Sequence, residues 1–130
     1  GQRFVAPAGN SISTVYFDKI FDMAAGDILK TAYTSINNDA TLANGEFQTI
    51  ETSSTLSGLS VGDNGAVAVR GVYDATAGTF VGSATGSDTL FVYDSNTNAG
   101  TTAFVAVVLV GYQGTITATE SGGAVIGTLG

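Results

Sequence analysis

The 130-residue chain carries eleven acidic and four basic side chains, a net charge of −7. That balance argues against nucleic-acid or anionic-membrane binding, both of which need clustered Lys and Arg, and leaves divalent cations as plausible partners. With no Cys and no His, the sequence excludes disulfides, imidazole chemistry and zinc sites of the usual kind.

In chain order, strand signals recur between clusters of Gly, Asn, Asp and Ser, while no long window holds the apolar spacing of a helix. Strands are predicted at 11–21 (SISTVYFDKIF), 28–34, 45–53, 66–73, 79–83, 88–94, 102–112, 115–120 and 124–129. Only DMAAGDIL, between the first two, offers a short turn of helix. Their spacing predicts one all-β domain, an antiparallel β-sandwich or roll. The second half reads as a meander of hairpins, because AVAVRGVY, TFVGS and DTLFVYD are joined by short Gly-containing linkers.

Two strands carry further expectations. In 104–110 both alternating sets are apolar, so this strand belongs at the centre of a sheet covered on each side. Arg70 is the lone charge of its strand and is expected at a rim or paired with an Asp. The longest apolar run, AFVAVVLVGY, is about half a membrane span, so no transmembrane helix is expected. The chain begins with Gly1 rather than Met, as a processed product or an excised piece would.

Motifs for chemistry are few. GLSVG at 58–62 fits the G-x-S-x-G pattern around Ser60, but no His exists to take the hydroxyl proton. Asp18 and Asp22 would share one face of a strand about 13 Å apart, too far for a glycosidase pair. An enzyme is therefore not expected. YDSNTNAG places Asp94, Asn96 and Asn98 at alternate positions, as a calcium loop begins. Counting from Asp94, however, position six is Ala99 and position twelve is Val105, so an EF-hand is excluded. A looser calcium site and a turn capped by its own Asp and Asn side chains both remain open.

Two stretches resemble a family. FDKIFDMAAGDIL is similar to the D-x-I-x-D-F-x-x-G-D-x-I-x-L segment that follows the calcium repeats of repeats-in-toxin (RTX) secreted proteins. DTLFVYDSNTNAGTTAFVAVVLVGYQGTI resembles the C-terminal hairpin of such proteins and of bacterial surface-layer and adhesin chains. Together they cover about a third of the chain. The resemblance implies an extracellular or cell-surface location and calcium-assisted folding. It also implies acidic positions at Asp18, Asp22 and Asp27 in the first segment and at Asp88 and Asp94 in the second. The GGxGxDxUx repeat of the calcium β-roll is missing.

Two functions from different classes follow as expectations. One is a structural protein that assembles with itself into a surface layer, filament or matrix, with residues 1–9 (Phe4, Val5 and Pro7 among them) as a donor strand. The other is an adhesin or carbohydrate-binding module for cell-surface glycans, with Tyr73 and Tyr93 as exposed contacts or, equally, as packing residues.

Overall fold

A computed structural model of the chain describes residues 7–34, 49–59, 65–94, 104–114, 116–121 and 124–129, and among these it is all β with no helix. The strands are β1 (Ser11–Ser13), β2 (Asp18–Ile20), β3 (Ile28–Thr34), β4 (Thr49–Ser53), β5 (Gly65–Asp74), β6 (Thr79–Gly82), β7 (Asp88–Asp94), β8 (Phe104–Leu109), β9 (Ile116–Ser121) and β10 (Ala124–Leu129). They form a seven-stranded sheet in the order β1-β6-β5-β7-β8-β2, with β4 also on β5, and a three-stranded sheet in the order β3-β10-β9. DMAAGDIL makes no helix. It forms a tight turn in which the Asp27 amide donates to the Ala24 carbonyl at 3.0 Å.

The large sheet is mixed. β2 runs parallel to β8 and β4 parallel to β5, while the other pairings are antiparallel. Its centre is buried on both faces, as the doubly apolar 104–110 run requires. One face carries Ala66, Ala68, Phe91, Tyr93, Val107 and Leu109, closed by Tyr112 and Ile116. The other carries Val67, Val69, Phe80, Leu90, Val92, Ala106 and Val108, closed by Phe17 and Leu56. Period-two alternation places the two sets on opposite sides of the same three strands.

The predicted strand 11–21 is two short strands with a turn between them. Phe17 N–H donates to the Thr14 carbonyl at 3.0 Å, and the Thr14 amide is itself drawn to the Gly78 carbonyl at 2.8 Å. β1 pairs with β6 at one edge of the sheet and β2 with β8 at the other. Five strand spacings of ~4.8 Å separate those edges, ~24 Å if the sheet were flat. The five residues from Ser13 to Asp18 reach ~17 Å at full extension. The sheet must therefore curl until one bent segment serves both edges, a half-barrel with Phe17 (6% exposed) plugging its inside.

The predicted meander differs at one link. β7 pairs with β5, not with β6, so the link 83–87 carries the chain from one side of β5 to the other. It crosses at Gly71, whose register partners are Gly82 on one side and Asp88 on the other. Gly86 lies so close to the Gly71 backbone that a Cβ on it would collide with the Gly71 carbonyl. Linker length and a Gly suggest a hairpin; this backbone-on-backbone crossing needs that Gly for a different reason. The hairpin between β5 and β6 is held by Asp74, whose Oδ1 accepts from the Thr76 and Ala77 amides at 2.9 and 3.0 Å. Its Gly78 has φ +68°, the left-handed region.

Candidate functional site

The candidate calcium residues do not form one described site. Asp18 stands exposed in β2, in register with Val107, and Asp22 is exposed just beyond that strand. Because β2 stops at Ile20, the strand geometry assumed for this pair does not apply. Asp27 is exposed, and its Oδ2 accepts from the Ala24 amide at 2.8 Å, which closes the turn before β3. Asp94 ends β7 opposite Phe104, while Asn96 and Asn98 lie outside the described residues, as do Ser60 and residues 1–6. Among the described residues, no three Asp or Glu side chains gather as a metal would require. Asp88, the other acidic match of the resemblance, is committed elsewhere. It is buried, and its two carboxylate oxygens accept from the Tyr73 and Gly111 amides, each at 2.7 Å. It ties the ends of β5 and β8 to the start of β7.

The aromatic candidates divide. Tyr93 is buried and stacks on Phe91 with centroids 5.6 Å apart, so it is a core residue. Tyr73 is half-buried, with its ring edge-on to the exposed Phe21 at 6.4 Å.

A different place has the geometry of a site. The two halves of β5 have different partners along one edge: β4 pairs from Gly65 to Val69, and β6 from Gly71 to Asp74. Arg70 is the residue at the change. Its carbonyl accepts from the Ser83 amide at 2.9 Å, at the start of the crossing link. Where β4 and the link part, a cleft of about 420 Å³ opens. Alternation puts Arg70 in the same row as Ala66 and Ala68 and beside Thr89, its register partner. The smallness of Ala68 and Ala84 leaves the space, and the end of β4 contributes Thr52, Ser53 and Ser54 to its wall.

Arg70 is half-buried, and Nε donates to the Gly86 carbonyl at 2.7 Å while Nη2 donates to Gln113 Oε1 at 2.7 Å. Both acceptors are neutral. No carboxylate among the described residues pairs with this guanidinium, and Arg70 lies in the middle of a central strand, at the mouth of the cleft. Thr89, buried beneath, donates its hydroxyl to the Tyr112 carbonyl at 2.6 Å and so holds the following turn against the cleft floor. The sequence marks Arg70 as an isolated charge. It gives no sign that two strands share the edge of β5, which is what makes the cleft.

No protein-family model, curated protein or solved structure matches the chain.

Proposed function

We propose that this domain is a non-enzymatic extracellular structural protein, a subunit that assembles with copies of itself into a surface layer, filament or matrix, with calcium assisting. The observation that carries the reading is an exposed apolar set around the β5–β6 hairpin. Val72 and Val81 are direct cross-strand partners and are 44% and 40% exposed. Val15, at 65%, lies against the hairpin turn at Gly78. Phe21, also at 65%, leans on Tyr73, which alternation puts on the opposite face of β5 from Val72, so it is exposed separately from the valine pair. Single exposed apolar residues are ordinary; several around one hairpin favour an interaction surface.

The N-terminal donor strand gains less support. Ala8 and Asn10 are bound within their own domain: Ser57 Oγ donates to the Ala8 carbonyl at 3.0 Å, and Asn10 Nδ2 donates to the Gly82 carbonyl at 2.8 Å. The test is light scattering on the purified chain with calcium and then with a chelator, repeated on Val72→Lys/Val81→Lys. The expected result is a large assembly that the double variant disperses, with dissolution on chelation if calcium joins the subunits. A wild-type monomer in both conditions would sink the reading. The second reading, a glycan-binding module, is favoured by the cleft at Arg70.

A further inference from the structure

The geometry points to the Arg70 cleft as a binding site for a carboxylate-bearing sugar, such as a uronic acid unit of an acidic polysaccharide. This inference rests on the second reading above and is independent of self-assembly.

Four observations converge on that ligand. The first is the charge. In a chain of net charge −7, the cleft presents the guanidinium of the half-buried Arg70, with its Nε bond part-buried and its Nη2 bond exposed. Its described partners are a carbonyl and an amide oxygen, both neutral. A positive charge drawn partly out of water without a counter-ion attracts an anion more strongly than a solvated one does.

The second is the count of donors. Arginine has five N–H groups, and the Nε and Nη2 bonds use two, which leaves three with no acceptor among the described residues. One planar guanidinium with free N–H groups matches one carboxylate. A phosphate would call for more positive charge than a single arginine, and no second cation among the described residues lines the cleft.

The third is the wall. Ser53 Oγ is occupied, accepting from the Thr55 amide at 3.2 Å and donating to its carbonyl at 3.1 Å. The hydroxyls of Thr52 and Ser54 and the Gln113 side-chain nitrogen have no partner among the described residues. Neutral donors and acceptors of this kind suit a ligand with hydroxyls around its charge. The fourth is size. At about 420 Å³ the cleft exceeds what a bare acetate-sized ion would fill and lies in the range of small-molecule pockets.

Arg70 also has a structural duty, since its Nε bond holds the crossing link at Gly86. The test must separate the two. On the full chain at low salt, amide chemical shifts would be followed while D-glucuronate, D-glucose, acetate and the dipeptide acetyl-Ala-Ala with a free carboxylate are titrated separately. The expected result is saturable movement of the Thr52, Ser54, Arg70 and Gln113 amides with glucuronate, about tenfold tighter than with any of the other three. Thr52→Ala/Ser54→Ala leaves Arg70 and its link in place and should weaken glucuronate about fivefold while leaving acetate unchanged. Arg70→Gln should abolish both responses, and added salt should weaken them in the wild type, so the charge is tested even if that variant fails to fold. Equal binding of glucose would overturn the proposal, because the charge would then be idle. Tighter binding of the dipeptide would overturn the sugar and assign the cleft to a chain terminus. Acetate equal to glucuronate, or no saturable shift in the cleft, would overturn it as well. A monomeric chain that binds glucuronate would defeat self-assembly and leave this site standing.

Discussion

Asp88 offers the sharpest test of how the half-barrel is held. The residue is 5% exposed, and its carboxylate accepts two backbone N–H bonds of 2.7 Å, from Tyr73 at the end of β5 and from Gly111 just past β8. In Asp88→Ala both donors lose their acceptor at once. A hydrogen bond to a charged group contributes about 1.5–3 kcal/mol, and orphaning a buried donor costs about 1–3 kcal/mol. Because these overlap and water can enter beside Ala, a total of about 4 kcal/mol is reasonable for the pair. For 130 residues, an unfolding entropy of about 2.1 cal/mol/K per residue converts this to a fall in Tm of about 15 °C. Asp88→Asn decides the mechanism. Its carbonyl can serve one amide, but its NH2 then faces the other, so it should still cost about 2–3 kcal/mol. If the buried charge were instead a burden on the fold, Asn would raise stability. Urea denaturation followed by circular dichroism measures both variants. A rise in midpoint for Asp88→Asn, or a change below about 1 kcal/mol for Asp88→Ala, would refute the bridge.

Three further substitutions probe neighbouring features. Gly86→Ala puts a Cβ into the Gly71 carbonyl at the strand crossing and should destabilise by about 2–4 kcal/mol in the same urea assay. Thr14→Val removes a fully buried hydroxyl that has no hydrogen-bond partner among the described residues while keeping its shape, so the midpoint should hold or rise by up to about 1 kcal/mol. Asn10→Ala deletes the side chain that donates to the Gly82 carbonyl and accepts from the Leu56 amide, both at 2.8 Å. It should cost about 1–3 kcal/mol and speed hydrogen exchange at Leu56.

Much of the secondary structure was legible because it follows from local pattern. The strands at 28–34, 88–94 and 124–129 have the predicted bounds, and the doubly apolar 104–110 run does sit with a core on each face. What stayed hidden depends on distant partners. Nothing local in 11–21 says that its first half belongs to one sheet edge and its second half to the other. The 83–87 link looks like a hairpin until Gly71, twelve or more residues earlier, is known to pass beneath it. The cleft was illegible for the same reason, since Arg70 alone does not reveal that β4 ends where β6 begins. The backbone duties of Asp27 and Asp88 were hidden too, since acid spacing does not say which carboxylates accept from main-chain amides.

The curl bears on how copies of the domain can meet. Closing the half-barrel occupies both ends of the large sheet with three-residue strands, β1 and β2, which are too short to template a long neighbour. In the small sheet, β10 is paired on both sides, so the C-terminal strand completes its own domain and is not free to leave as a donor. β9 lies beside β4. What remains is β3, seven residues long and paired on one side alone among the described residues. If subunits join by strand pairing, β3 is the edge that receives the neighbour, and the exposed valines of β5 and β6 form a separate contact. Hydrogen exchange distinguishes the two. Pairing on β3 would slow exchange across Ile28–Thr34 on assembly, whereas docking through Val72 and Val81 would leave β3 exchanging as in the monomer.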